Sequence, residues 1–230
     1  MLFRSARNAL EQSVGASDER RWVLVGRAAS EAADAAAHAP GEDELWRLAC
    51  DGELALGREA LRRHDLSSAG IALARAEVSA RRSVELESLR ATNSQALGSA
   101  LALRARLSLV AQHPAAEVAA LASRSDSAFA EARKRAPLDA LILIDQARGQ
   151  LELNRGAAAR VTAQRIVQLY PDAATGYSLT AAAQLMLGER AAAIRSLHAA
   201  VRGRWMEDRG ADEWAAKAYL RKLEFVDSTR

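Results

Sequence analysis

Apolar residues recur every three to four positions along almost the whole chain, with charged and small polar residues between them. That spacing is the period of helices buried on one side. No segment shows the strict alternation of a half-buried strand. The interruptions mark where helices end. Gly15-Ala16-Ser17-Asp18 reads as a turn with an N-cap, since a Ser or Asp oxygen accepts from the free amides of the next turn. Ala39-Pro40-Gly41 is a stop, and His64-Asp65-Leu66-Ser67 a weaker one. Thr92-Asn93-Ser94 loses apolar content and supplies caps, and His113-Pro114 ends one helix and starts another. Further breaks fall at Ala136-Pro137-Leu138-Asp139, Asn154-Arg155-Gly156, Tyr170-Pro171-Asp172, Leu187-Gly188-Glu189 and Arg209-Gly210. The pattern predicts about eleven helices: 3–14, 18–38, 42–63, 66–91, 94–111, 115–135, 138–153, 156–169, 173–187, 189–203 and 211–226. The connections are short, so successive helices are expected to pack antiparallel.

Composition sharpens this to an all-α fold. Alanine supplies 54 of the 230 residues, whereas aromatics are 4% and proline only 4 residues. Alanine, leucine and arginine are good helix formers, and β-branched and aromatic strand formers are scarce. The single cysteine, Cys50, allows no internal disulfide and lies in an apolar helical stretch, where it reads as a small buried hydrophobe. No run approaches the roughly 20 apolar residues that span a bilayer, and Met1–Arg7 lacks the apolar stretch of a signal peptide. These features give a cytoplasmic location without membrane insertion as the expectation.

An internal repeat is the strongest signal. Pro137 and Pro171 lie 34 residues apart. Laying Ala140–Tyr170 over Ala174–Arg204 at that offset gives about nine identities in 31 positions. Five are alanines, and the rest include Gln150/Gln184, Leu151/Leu185, Leu153/Leu187 and Val167/Val201. The break recurs in phase, at Asn154-Arg155-Gly156 and Gly188-Glu189-Arg190. A period of 34 with two helices per unit is that of tetratricopeptide repeats, and residues 138–204 resemble that family. Ala147 and Ala181 match its small site in the first helix, and Ala159 and Ala193 the small site of the second. Pro171 closes the first unit, and Tyr177 stands at an aromatic site where the first unit has Leu143. The units are degenerate. Gln146 and Thr180 replace the family's leucine, Gln150 and Gln184 its later tyrosine, and Trp205 its closing proline.

The resemblance implies a right-handed superhelix of antiparallel hairpins, a tetratricopeptide-like solenoid. Residues 1–39 would be N-terminal helices forming a possible cap, and 40–136 two elongated hairpins, with Ala69 and Ala76 at small sites. Residues 137–205 would be two repeats, and 206–230 a capping helix carrying Trp214, Ala218, Leu220 and Phe225. A terminal unit needs such a cover for its apolar face. In this family the first helices of successive units line a concave groove. The groove is therefore expected from Leu141, Ile144, Arg148, Leu151 and Glu152 in one unit and Ser178, Ala182, Leu185 and Met186 in the next. Those side chains suit an amphipathic helix or extended peptide of a protein partner. Neighbouring helices covering the same residues is the competing reading. Of the Lys, Arg and Asn set that captures a peptide C-terminus in some members, only Arg148 is present.

Catalytic signatures are missing. There is no Gly-rich phosphate loop, no G-x-G-x-x-G, no G-x-S-x-G, no H-E-x-x-H and no cysteine cluster. His38, His64, His113 and His198 are dispersed, with Asp34 and His38 placed to share one helix face. Glu42-Asp43-Glu44 opens a helix, where acids complement the macrodipole. No enzyme activity, cofactor or metal is therefore expected. The formal net charge is +3, with 29 arginines to 3 lysines, a skew that fits the codon bias of a GC-rich bacterial genome. Arginine clusters occur at Arg20-Arg21, Arg62-Arg63, Arg81-Arg82, Arg133-Lys134-Arg135 and Arg202/Arg204. They do not interleave with aromatics as single-strand binders require. The leading expectation is a non-catalytic protein-interaction scaffold, of which a regulatory or assembly segment of a bacterial signalling or envelope protein is one form. The alternative is nucleic-acid or phosphoprotein binding through the arginines, and a helical enzyme without a known motif is a third reading.

Overall fold

Every helix has to satisfy the carbonyls of its last turn, and this chain does so in two alternating ways. The computed structural model describes residues 2–14, 16–205, 216–221 and 223. It holds α1 (Leu2–Ser13), α2 (Asp18–His38), α3 (Asp43–Arg62), α4 (Leu66–Leu86), α5 (Ala91–Val110), α6 (Ala115–Arg135), α7 (Ala140–Glu152), α8 (Gly156–Leu169), α9 (Ala174–Met186) and α10 (Arg190–Arg202). Residues 216–221 are helical as well. The fold is all-α. Among the described residues the only bridge is an isolated parallel one between Ala173 and Arg204.

α3, α5, α7 and α9 end in a left-handed residue: His64 (φ 60°), Gln112 (φ 58°), Asn154 (φ 56°) and Gly188 (φ 77°). In each case the next amide donates back into the helix. Asp65 donates to the Ala60 carbonyl at 2.9 Å, and His113 to Ser108, Arg155 to Gln150 and Glu189 to Gln184 at 2.8 Å each. This closure turns the chain sharply into the following helix. α2, α4, α6 and α8 instead end in extended residues, with φ/ψ of −135°/69° at Ala39, −139°/83° at Glu87, −135°/73° at Ala136 and −136°/82° at Tyr170. Ala39, Ala136 and Tyr170 each precede a proline, whose ring bars the helical conformation from the residue before it. Left-handed turns thus close hairpins, and extended turns lead from one hairpin to the next.

The chain forms two compact units, Met1–Pro137 and Leu138–Arg230. Within each, every helix packs on its sequence neighbours, and α3·α5 and α7·α9 contacts link first helices of successive hairpins. That is a solenoid of helical hairpins, as the repeat suggested. In the first unit α3 and α5 have 20 residues, and α4 and α6 have 21. In the second, α7 and α9 have 13, α8 has 14 and α10 has 13.

Alanine sets the packing distance. Ala69, Ala76, Ala147, Ala159, Ala181 and Ala193, the small sites of the sequence reading, are all fully buried. At Gly52 the approach is closer still, because a Cβ there would meet the Ala29 Cα of α2 at 2.9 Å. Leu54, Leu61, Leu73 and Leu103 fill the first unit's core beside the buried Cys50, whose thiol burial pushes up. Leu143, Ile144 and Ile166 fill that of the α7–α8 hairpin.

The structure corrects one predicted boundary. Thr92-Asn93-Ser94 does not separate two helices, since α4 stops at Leu86 and α5 already begins at Ala91. Asn93 acts on the preceding helix instead. Its buried amide nitrogen lies 3.0 Å from the Ser83 and Glu87 carbonyls, closing the end of α4, and 2.9 Å from the Asp43 carboxylate. The asparagine of a polar trio that reads as a break is therefore a C-terminal closure supplied from the next helix. Gly15, Arg209, Gly210, Trp214 and Phe225, named in the sequence reading, lie outside the described residues.

Candidate functional site

The second unit carries an apolar cavity of about 390 Å³ on α9. Ser178, Ala182, Leu185 and Met186 line it from α9, spaced so that they share one helix face. Ala181 and Leu197 also line it, and Ala216 and Tyr219 line it from the C-terminal helical segment. That segment is held against the last hairpin by Ala216, Leu220 and Leu223, which pack with Ala181, Ala193 and Leu197. The Arg190 guanidinium also donates to the Leu223 carbonyl. α9 itself carries no charged residue. Met186 is 41% exposed and Tyr219 57%, so both present apolar surface at the rim. Lys217 and Arg221 lie exposed on the segment beside Tyr219.

The four residues expected from α9 are thus brought together. The five expected from α7 do not line the cavity. Ile144 is fully buried and packs with Leu143, Ala163 and Ile166, so it is withdrawn as a contact for any partner. Leu151 is half-buried and packs against that same core. Arg148 and Glu152 are half-buried, and only Leu141 is exposed. The helical period misplaces Ile144 because α7 is enclosed on more than one side: Ala140, Ile142, Leu143, Ile144, Gln146, Ala147, Gly149 and Gln150 are all buried. Ala216 and Tyr219 escaped the sequence reading. The spacing of Ala216, Leu220 and Leu223 was the signal that could have set the buried face and left Tyr219 outward.

The glutamines that replace the family's tyrosine have a structural task. Gln150 Oε1 accepts from Thr162 Oγ1 at 2.9 Å, and Gln184 Oε1 from Ser196 Oγ at 2.8 Å. The same bond therefore clasps both hairpins, with both partners displaced by 34 residues.

One solved structure settles the architecture. A thermophilic TPR protein of Thermus thermophilus superposes with a TM-score of 0.63, covering 96% of this chain and 99% of that one at 13% identity. The chain has a tetratricopeptide-like fold. No family model matches it, and no curated protein does. In this tetratricopeptide-like fold α7–α8 and α9–α10 are successive hairpins, and the apolar cavity lies on the first helix of the second.

The arginine clusters are largely engaged in ion pairs. Arg62 and Arg63 bind Glu59 at 2.6 and 3.0 Å, and Arg63 also stacks 5.0 Å from the Trp22 ring centre. Lys134 and Arg135 bind Glu131, and Arg82 binds Glu85. Glu77 of α4, itself buried, receives Arg81 of its own helix at 2.7 Å and Arg124 of α6 at 2.6 Å, and Arg104 of α5 binds its other oxygen. Burial alone would raise the Glu77 carboxyl, yet the hydrogen bonds from Arg81, Arg104 and Arg124 bring it down to about 2. Burial does raise Glu53, whose Oε2 has no hydrogen-bond partner and whose nearest cation, Arg75, stands 3.8 Å from Oε1. The histidines stay dispersed. His38 Nδ1 pairs with the Asp34 carbonyl at 2.7 Å and His113 with Glu117 at 3.0 Å. Among the described residues no three His, Cys, Asp or Glu side chains could hold a metal ion. No helix there is long and apolar enough to cross a membrane.

Proposed function

We propose that this chain is a non-catalytic protein-interaction module that takes an apolar segment of a partner into the cavity on α9. The observation that carries this is the cavity's wall: Ala182, Leu185, Met186 and Tyr219 supply apolar surface, with Ser178 the lone polar residue among α9's contributions. From Ser178 to Met186 the wall runs about 12 Å along the helix axis. That length matches two turns of a partner helix presenting anchors at i, i+3/i+4 and i+7. Methionine at the rim fits variable side chains without a fixed shape. Peptides selected from a displayed random library should test it. Selected sequences are expected to carry large apolar residues at helical spacing and to bind Ala182→Arg at least tenfold more weakly. Ala182 is exposed, so the arginine fills the cavity without entering the core. Peptides that bind wild type and Ala182→Arg alike would refute the reading.

A further inference from the structure

We propose that Arg81, Arg104 and Arg124 form a site for a doubly charged phosphate group, with Glu77 as the built-in counter-ion that holds their guanidinium planes in place. The three arginines come from three helices and converge on one buried carboxylate. That carboxylate sits at 7% exposure, whereas the arginine side chains are 51%, 38% and 45% exposed. Each fork is therefore fixed at its inner edge and open to solvent at its outer edge.

Donor capacity exceeds what the protein uses. A guanidinium has five N–H donors. Arg81 gives Nε and Nη2 to Glu77, Arg104 gives Nη1 and Arg124 gives Nη2. Three cations also face one bonded anion. Glu117 accepts from His113 and from Ser108, and its charge interacts with Arg104. With Glu117 included, three guanidiniums meet two carboxylates. Planar forks with several outward donors suit a tetrahedral oxyanion better than a single lysine would, because two parallel N–H bonds meet two oxygens at once. Holding the forks in advance removes part of the ordering cost of binding. This separates Arg81 from Arg82 beside it, which pairs with the exposed Glu85 on a single helix. The phosphate could be free or carried on a protein side chain.

The test uses the whole chain and observes the arginine Nε–Hε NMR signals during titration with inorganic phosphate, with O-phosphoserine, and with chloride at matched ionic strength. Saturable shifts confined to Arg81, Arg104 and Arg124, with a dissociation constant on the order of 1 mM for phosphate, are expected. Arg124→Gln and Arg81→Gln should each weaken binding about tenfold, while Arg195→Gln on the exposed side of α10 leaves it unchanged. Far-UV circular dichroism identifies a variant that fails to fold, and the wild-type shifts then decide alone. Tighter binding of phosphoserine than of phosphate assigns the group to a modified protein, and equal or weaker binding assigns it to the free ion. Shifts that match chloride, or that never saturate, overturn the site.

Discussion

Replacing Glu77 by glutamine removes one charge from a buried position without changing its volume. The structure sets the size of the effect. Three guanidiniums bring the carboxyl from 4.5 down to about 2. At about 1.4 kcal/mol for each tenfold change in proton affinity, that corresponds to at most about 3.5 kcal/mol of stability. The arginine heads are about half exposed, so water screens part of this, and a loss of about 1–2 kcal/mol is expected at pH 7. The amide would also turn an N–H toward an arginine that had met an oxygen. Because the folded carboxyl binds its proton more weakly than the unfolded one, its contribution is complete above about pH 4.5 and is lost as pH falls toward 2. The difference between wild type and Glu77→Gln should therefore shrink as pH falls from 5 to 2.5. Urea titrations followed by circular dichroism at pH 7, 4 and 2.5 measure it. A difference below about 0.3 kcal/mol at pH 7, or one of constant size across the series, would refute the reasoning.

Glu53 has the opposite sign. Its raised carboxyl destabilises the fold above about pH 4.5 and not below, so Glu53→Gln should raise stability at pH 7 and leave it unchanged under acid. The same urea titrations read both ends of that range. Thr162→Val should cost about 1 kcal/mol by removing the hydroxyl that donates to Gln150 Oε1. Adding Gln150→Leu should recover part of the loss, and a double-mutant cycle that shows no coupling would remove the clasp from the account. His64→Gly relieves a left-handed residue, and it should raise the melting temperature because the relief of about 1–2 kcal/mol exceeds glycine's entropic cost of about 0.5–1 kcal/mol. A lower melting temperature would mean that the His64 side chain contributes contacts beyond its backbone.

The helices and their hairpin order were legible because local rules act strongly here. Prolines 40, 137 and 171 mark the extended turns, and the alanines mark the close contacts. The 34-residue offset was legible for the same reason, since α7–α8 and α9–α10 repeat the clasp as well as the fold. What escaped depends on partners distant in sequence. Asn93 reads as a break until Ser83, Glu87 and Asp43 are seen around it. Arg124 stands in none of the arginine clusters, because its partner Glu77 lies 47 residues away. Ile144 sits at a position expected to face a groove, yet α7 is enclosed too broadly for its single period to separate inner from outer faces. Tyr219 needed the docked segment to show that a cavity lies beside it.

The helix lengths have a consequence for how such a chain can grow. α3 and α5 measure 20 residues where α7 and α9 measure 13, and α4 and α8 differ likewise, 21 against 14. Seven residues are close to two full turns. Adding them to each arm of a hairpin returns the far-end residues to nearly the same azimuth, so both kinds of turn keep their facing. The chain thus uses one hairpin plan in two gauges, and the change of gauge falls where its two compact units divide. Paired heptad deletions in α5 and α6 should accordingly yield a short-gauge hairpin that still folds, whereas deletions of five residues would rotate one face against the other.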